Sequence, residues 1–295
     1  MSSAPVSRAG LLGSLVSTSR PLSWVNTAYP FAVALFLTTG RIDLPLVIGT
    51  LFFLIPYNLA MYGINDVFDY ESDLLNPRKG GVEGALVERR HHRAILVACA
   101  VTCLPFLVYL YAAGTVASAV ALTVTMFAVV AYSAKGLRFK EIPFLDSATS
   151  ATHFVGPAVV GALLDDGRLG GTAALVLTAF FAWSMASQAF GAVQDVTADR
   201  AAGLGSIATV LGARATVAVS IGLYTLAGAL LLIPWELFSL ASVLLVPYIA
   251  NVWPFRLLAD EDAERANAGW RRFLWLNYLT GFLVTMLIIA QVRSG

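Results

Sequence analysis

At the end of a long apolar stretch, the chain carries the run Asn65-Asp66-Val67-Phe68-Asp69-Tyr70-Glu71-Ser72-Asp73. A second acidic run, Gln194-Asp195-Val196-Thr197-Ala198-Asp199, closes another apolar stretch. Carboxylates in or beside a bilayer are costly, so clusters of them there are functional-site hypotheses by default. The two runs therefore predict a place where metal ions hold a strongly anionic group at the edge of a membrane.

The composition is that of an integral membrane protein. Hydrophobic residues make up 58% of the chain and charged residues 13%, and the mean hydropathy is +0.76. Soluble domains carry about 25% charged residues. The formal net charge is +1, and no basic patch with interleaved aromatic residues occurs. We therefore expect membrane lipids around the chain and no nucleic-acid partner.

The apolar runs are long and do not alternate, which predicts helices rather than strands, so the expected fold class is all-α. Residues 1–21 are predicted to form a cytoplasmic N-terminal segment, and residues 22–292 a single domain of nine transmembrane helices around a central cavity. A spanning helix needs about 20 mostly apolar residues. The predicted spans are 22–40, 44–64, 94–113, 117–133, 147–164, 172–192, 214–233, 238–255 and 273–291.

The distribution of Lys and Arg predicts the orientation. With the N-terminus in the cytoplasm, the cytoplasmic side holds sixteen of the 19 basic residues, and the opposite side only Arg41, Arg168 and Arg293. This bias favours an odd number of spans with the C-terminus outside. It places both acidic runs, and hence the active site, at the cytoplasmic face of the cell membrane.

The spacing of the aspartates puts them on shared helix faces. Asp66, Asp69 and Asp73 are spaced i, i+3, i+7, and Asp195 and Asp199 are spaced i, i+4. Mg²⁺ prefers oxygen ligands and usually binds through one or two carboxylates, water and substrate phosphates. Two or more Mg²⁺ ions bridging a diphosphate would explain both clusters. The alternative is a solvated loop whose acids pair with basic neighbours.

Polar residues continue each stripe back into the membrane. Asn65 lies at the edge of the first stripe, followed by Tyr62 and Asn58, and Gln188 belongs to the second. Buried polar groups in lipid need partners, so the stripes are expected to face one another or a cavity. His153 is a lone histidine in an apolar helix. It is either a satisfied core residue or part of the pocket.

Two loops carry basic groups that can grip phosphate oxygens. Lys135, Arg138 and Lys140 lie in the first of these, and Arg78 and Lys79 lie in the second. The second loop, Asn76 to Gly84, has the composition of a flap that could close over a diphosphate, or equally of a flexible linker. For each basic residue the alternative is ordinary cytoplasmic loop charge.

The pattern Asn65-Asp66-x-x-Asp69-x-x-x-Asp73 resembles the first aspartate motif of the intramembrane aromatic prenyltransferase superfamily, also called UbiA-type. Asp195-x-x-x-Asp199 with the following Arg200-Ala-Ala-Gly203 resembles its second motif. Tyr132-Ser133 with Arg138 and Lys140 resembles its connecting loop. The resemblance covers about residues 20–290.

Within that superfamily, three stretches resemble the lycopene elongases of actinobacterial C50 carotenoid synthesis: Arg20 to Pro30, Ile55 to Gly63 and Asn76 to Gly84. The resemblance implies transfer of dimethylallyl groups from dimethylallyl diphosphate to the ends of lycopene. It implies Mg²⁺ on the five aspartates and diphosphate contacts from Asn65 and the basic residues, with Tyr132 beside them. Lys135 departs from the family pattern, which leaves open whether Lys135 or Lys140 contacts phosphate.

Two rival functions follow from the same residues. One is an enzyme of the same fold that acts on a quinone precursor, a chlorophyllide or a sugar phosphate. Such polar acceptors need pocket donors, of which several helices are nearly free. The other is a membrane transporter, whose ion sites usually lie near the bilayer midplane. Here the acids crowd one end of the helices instead.

Overall fold

The computed structural model describes residues 10–74 and 86–294, which form helices and no strands. The chain divides into two compact units. Unit 1 comprises Met1–Phe139 and Thr152–Leu169, and unit 2 comprises Lys140–Ala151 and Gly170–Gly295. The separation of residues 1–21 from a single domain 22–292 stays a prediction.

Unit 1 is built from helices packed around a cluster of aromatic rings. Phe31, Phe52, Phe53 and Tyr57 are fully buried there. Its helices are α1 (Leu11–Thr18), α2 (Val25–Thr39), α3 (Leu44–Leu54), α4 (Pro56–Phe68), α5 (Tyr70–Leu74), α6 (Arg89–Ala113), α7 (Val116–Ser133) and, from Thr152 onward, α8 (Leu145–Leu163), with a 3-10 turn at Pro21–Ser23.

The break between α3 and α4 has a clear cause. Pro56 has no backbone N–H and cannot continue a helix, so carbonyl groups before it lose their helical partners. The Asn58 amide donates to the carbonyl oxygens of Phe53 at 2.8 Å and Leu54 at 3.1 Å, and also lies 2.7 Å from Thr27 Oγ1. These contacts satisfy backbone groups that lipid cannot. The helix therefore restarts as α4 and carries the first acidic run at its far end.

Gly63 lets other helices approach α4 just before that run. A Cβ at position 63 would lie 3.0 Å from Cys99 Sγ and 3.0 Å from Ile95 Cγ2 on α6, and 3.3 Å from Thr18 Cγ2 on α1. Contacts this short would force these neighbours to shift. The small residue therefore fixes how closely α1 and α6 pack against the helix that positions Asp66.

Unit 2 has a second aromatic core, in which Tyr224 and Tyr248 are buried and Trp183 and Phe273 pack against Tyr248. Its helices are the start of α8, then α9 (Gly171–Val193), α10 (Val196–Ala201), α11 (Ile207–Leu232), α12 (Leu245–Val252) and α13 (Asn267–Ser294), with 3-10 segments at Leu237–Leu244, Trp253–Phe255 and Asp260–Ala266. A further 3-10 turn, Phe139–Glu141, precedes α8.

Helix α11 is interrupted at Gly212, which has φ +79° and ψ 167°. This conformation is essentially restricted to glycine. The helix resumes at Ala213, whose backbone N–H donates to Asp260 Oδ1 at 2.7 Å. Asp260 therefore caps the restarted helix across 47 residues of sequence.

Seven helical segments in the described part of the chain are long and apolar enough to cross a membrane: Leu44–Phe68, Arg89–Ala113, Val116–Ser133, Gly171–Val193, Ile207–Leu232, Leu237–Phe255 and Asp260–Ser294. Each contains one of the predicted spans or most of it. At the other two predicted positions lie α2, which has only 15 residues, and α8, whose first turns are rich in polar residues. The total of nine spans, the central cavity and the orientation of the termini stay predictions.

Candidate functional site

The first acidic cluster, Asp66, Asp69 and Asp73, lies where α4 gives way to α5. Asp66 is in the last turn of α4, Asp69 is its C-cap with helical φ and ψ, and Asp73 lies in α5. The three residues are 2%, 4% and 7% exposed. Burial of three carboxylates within eight residues is unfavourable unless cations compensate their charge. The cluster therefore requires cations close to its carboxylates.

Arg20 supplies one compensating cation. Its Nη2 donates to Asp66 Oδ1 at 2.8 Å, and its guanidinium carbon lies 4.0 Å from the centroid of the Tyr62 ring. A cation over an aromatic face is held by the ring quadrupole. Tyr62, predicted as a pocket residue, thus takes part in the first cluster by holding the arginine that contacts Asp66.

Arg138 supplies a second cation, from the loop after α7. Its Nη2 lies 3.7 Å from Asp69 Oδ1, and its side chain is 30% exposed. The structure thus brings Arg138 beside the first cluster, and its predicted contact with a diphosphate stays a prediction. Lys135 in the same loop is exposed and Lys140 is half-buried. The contact of either lysine with a phosphate stays a prediction.

Both arginines have unusual backbone conformations. Arg20 has φ +50° and Arg138 has φ +44°. Such left-handed conformations are uncommon for residues other than glycine, and backbone strain of this kind clusters at functional sites. The only other described non-glycine residues with positive φ are Phe144 and Trp235. The backbone therefore points to the same two arginines as the ion pairs do.

Asn65 is held by the end of α7. Ser133 Oγ donates to Asn65 Oδ1 at 2.8 Å, so the motif residue before Asp66 is oriented by the residue after Tyr132. Tyr132 packs its ring edge-on against His153, with centroids 5.1 Å apart. His153 is buried, and its Nε2 has no hydrogen-bond partner among the described residues. A role of His153 in the acceptor pocket stays a prediction.

The second acidic cluster begins at the end of α9. Asp195 precedes α10 and Asp199 lies within it, and both are half-buried. The preceding Gln194 is fixed on both sides of its amide, since Nε2 donates to Gly191 O at 3.0 Å and Oε1 accepts from Asn267 Nδ2 at 2.6 Å. The start of α13 therefore sets the position of the second motif.

Arg200, directly after Asp199, is anchored to the segment before α13. Its Nη1 donates to Asp260 Oδ2 at 2.5 Å and its Nε to Thr209 O at 2.9 Å. Asp260 thereby links the second motif to the break in α11 at Gly212. One carboxylate serves two elements, because each of its oxygens takes a different donor.

Asp146, which lies outside both acidic clusters, supports the start of α11. Asp146 Oδ2 accepts from the backbone N–H of Ile207 at 2.9 Å. Asp146 directly precedes the predicted span 147–164 and is 2% exposed. Burial raises the pKa of its carboxyl group, and the N–H groups that it accepts from act in the opposite direction. Asp146 is a positioning residue for the loop that follows the second motif.

Of the remaining predicted site residues, two have described contacts and two lie outside the described part of the chain. Asn58 is fully buried, and its amide is used at the break between α3 and α4. Gln188 Oε1 accepts from Ser150 Oγ at 3.1 Å. Arg78 and Lys79 lie outside the described residues, as does the predicted flap to which they belong. A contact of Asn58 or Gln188 with substrate stays a prediction.

The donor set fits Mg²⁺ by its chemistry. The buried carboxylate oxygens of the first cluster are the hard ligands that this ion prefers. No three Asp, Glu, His or Cys side chains in residues 10–74 and 86–294 form a ready-made metal cage. Magnesium usually takes only one or two carboxylates and completes its shell with water and substrate phosphates, so an open donor set is what a diphosphate-bridging ion requires.

Sequence reasoning gave no site role to Arg20 or Asp260, and it named Ser133 and Asp146 only as part of the connecting loop. Arg20 begins one of the stretches that resemble lycopene elongases, but its partner, Asp66, is 46 residues away. No periodicity links the two positions. Only its left-handed φ, which is invisible in the sequence, would have singled it out.

Comparison with known proteins shows the family to which the chain belongs. Residues 27–277 match the model of the UbiA prenyltransferase family. A C(50) β-cyclic carotenoids biosynthesis protein of Dietzia is 60% identical over 96% of this chain and 66% of its own length, so the chain spans about two thirds of that protein. A lycopene elongase/hydratase of Corynebacterium glutamicum is 50% identical over 94% of this chain and 96% of its own length.

Among solved structures, a UbiA homolog of Archaeoglobus fulgidus bound to dimethylallyl diphosphate (DMAPP) and Mg²⁺ has a TM-score of 0.68. It is 19% identical, and the match covers 95% of this chain and 98% of that one. At this identity the likeness shows the fold. Together, the family match, the apolar helices and the two aspartate motifs identify the chain as an integral membrane enzyme of the UbiA prenyltransferase family.

Proposed function

We propose that the chain transfers dimethylallyl groups from DMAPP to the ends of lycopene, in a Mg²⁺-dependent reaction at the cytoplasmic face of the cell membrane. The observation that carries the diphosphate half of the proposal is the burial of Asp66, Asp69 and Asp73 beside Arg20 and Arg138. Support for the acceptor comes from the two relatives with 60% and 50% identity, whose names refer to C50 carotenoids and lycopene.

The first cluster is proposed to bind the donor. Asp66, Asp69 and Asp73 would supply oxygen ligands to Mg²⁺, and Asp195 and Asp199 would supply further ones. When bound, Mg²⁺ neutralises the diphosphate and draws electron density toward it as it leaves. That the two clusters serve one assembly of two or more ions stays a prediction from the sequence.

The basic residues are proposed to hold the diphosphate itself. Arg138 lies close enough to Asp69 to reach a phosphate that is bridged to it, and a guanidinium can bind two phosphate oxygens at once. Lys135 and Lys140 would add positive charge from the same loop. Asn65, oriented by Ser133, would present its amide to a phosphate oxygen or to a metal-bound water.

The acceptor is proposed to be bound by shape and apolar contact. Lycopene has no polar group for a pocket to recognise, and apolar surfaces suffice to bind a hydrocarbon. Exclusion of water is also needed, because water would capture the allylic cation that forms when the diphosphate leaves. Tyr132, half-buried, and His153, buried, would contribute an aromatic pair to such a pocket.

The decisive experiment is expression in cells that produce lycopene, followed by mass analysis of the pigments. The expected result is lycopene extended by one or two C5 units, which disappears in an Asp66→Asn variant and persists in an Asp262→Asn control, where the replaced carboxylate is exposed. An unchanged pigment profile with folded protein would favour a quinone precursor or a sugar phosphate as acceptor.

The donor and the metal are tested with purified protein. Turnover of DMAPP should cease in excess EDTA and return on addition of Mg²⁺. Geranyl diphosphate offered in parallel tests the chain length of the donor. Full activity in EDTA, or in either an Asp66→Ala or an Asp195→Ala variant, would contradict the metal-bridged mechanism.

A further inference from the structure

Unit 2 has a groove of about 540 Å³ whose lining includes neither acidic cluster. On one side of the groove, Leu211 precedes the break in α11 and the other α11 residues of the lining follow it. The other side directly follows the 3-10 segment Trp253–Phe255. The lining residues are Leu211, Arg214, Ala215, Ala218, Arg256 and Leu257. The groove thus combines apolar walls with two guanidinium groups and has no acidic residue in its lining.

The part of the chain that the structure describes supplies no carboxylate partner to either arginine, Arg214 or Arg256. Asp260, the nearest acidic residue to Arg256 along the chain, is engaged by Arg200 and by the N–H of Ala213. The two guanidinium groups can therefore pair with an anion from outside the chain.

Arg256 is held beside the ring of Trp253. Its Nη1 donates to Trp253 O at 3.1 Å and its guanidinium carbon lies 4.8 Å from the Trp253 ring centroid. Trp253 is 51% exposed, as is typical of tryptophans at the boundary between lipid and water. Arg256 directly follows the apolar segment Leu237–Phe255, and Arg214 begins the predicted span 214–233. Both guanidinium groups therefore lie near an end of an apolar segment, where we expect lipid headgroups.

We propose that this groove binds an anionic phospholipid. The lipid phosphate would be held between Arg214 and Arg256, because a planar guanidinium binds phosphate oxygens in a bidentate manner. An acyl chain would lie along Leu211, Ala215 and Ala218, where the small alanine side chains leave room beside the helix. Basic pockets between helices at the membrane surface bind anionic headgroups in this way. The proposal does not depend on the reaction that the enzyme performs.

The test compares phosphatidylglycerol with phosphatidylcholine of the same acyl chains, added to the purified full-length protein in detergent. Lipid retention is measured by native mass spectrometry, and thermal stability by tryptophan fluorescence. The groove variant is Arg214→Gln/Arg256→Gln. The matched control is Arg265→Gln/Arg271→Gln, which removes the same charge from exposed positions in unit 2.

We expect phosphatidylglycerol to be retained by, and to stabilise, the wild type and the control, and its affinity to fall about tenfold in the groove variant. Equal retention in all three proteins would overturn the proposal, since the binding would then not involve these arginines. Equal effects of phosphatidylcholine would also overturn it. So would full stabilisation by glycerol 3-phosphate alone, which would indicate an anion site without a lipid.

Discussion

Replacement of Gly212 by alanine tests how the break in α11 supports the second aspartate motif. Gly212 has φ +79° and ψ 167°, and a non-glycine residue in that region costs about 1–3 kcal/mol. The new Cβ would also lie 3.0 Å from Asp260 Oδ1. Displacement of Asp260 would weaken the cap on Ala213, and loss of such a cap costs about 0.5–2 kcal/mol. We therefore expect a total destabilisation of about 2–4 kcal/mol.

Gly222 in the same helix provides the matched control. A Cβ at position 222 meets no atom within 4 Å, and alanine favours a helix over glycine by about 0.5–1 kcal/mol. Gly222→Ala should therefore leave the protein unchanged or more stable. The free energy of unfolding is followed by tryptophan fluorescence or circular dichroism in detergent, for both variants under identical conditions.

The same pair of variants separates stability from positioning. Because Asp260 also binds Arg200, next to Asp199, Gly212→Ala should weaken the response of turnover to Mg²⁺ at temperatures where the variant is still folded. Asp260→Asn should show the same weakened response, since its amide can accept from Ala213 but no longer carries a charge for Arg200. If Gly212→Ala unfolds together with the wild type and with Gly222→Ala, the role assigned to the break is wrong.

Three further substitutions test other features. At Arg138, both glycine and alanine should abolish turnover, but the free energy of unfolding should be about 1 kcal/mol higher for the glycine variant than for the alanine variant, because glycine tolerates the left-handed backbone. Equal stability of the two variants would mean that φ +44° is not retained. Gly161→Ala places a Cβ 2.5 Å from the backbone oxygen of Phe31 and should destabilise by about 1–3 kcal/mol, whereas Gly171→Ala, which meets nothing within 4 Å, should not. Asn58→Leu leaves the carbonyl of Leu54 without its side-chain donor and that of Phe53 with Thr27 Oγ1 alone, and should lower the free energy of unfolding by about 1–3 kcal/mol; an unchanged melting curve would argue against the structural role of this amide.

The backbone conformation of the two arginines bears on the proposed site. Arg20 and Arg138 contact different carboxylates of one cluster, and both are held in the left-handed region. A conformation that costs free energy persists only where the surrounding structure determines it. The ion pairs with Asp66 and Asp69 help to hold the two arginines in this conformation. In the proposed reaction, the same guanidinium groups are in position to meet the donor's diphosphate.

The sequence by itself determined the class of protein and the internal order of each motif. Apolar length and composition predicted helices that span a membrane, because the requirement to satisfy the backbone in lipid acts locally on every segment. The spacing of Asp66, Asp69 and Asp73 predicted a shared face, which the near-continuous helical backbone through Asp69 preserves. Family resemblance, carried by these local patterns, was confirmed by comparison.

Only the tertiary structure decided what surrounds the carboxylates. Arg20 reaches Asp66 across 46 residues and Arg200 reaches Asp260 across 60, and the amide nitrogen of Asn58 donates to two backbone carbonyls at a helix break. Such pairings depend on how closely helices approach, which small residues such as Gly63 allow through contacts that have no periodic signal in the sequence. Local spacing places groups along one helix, but the partner of a buried charge is chosen by the packing of helices distant in the chain.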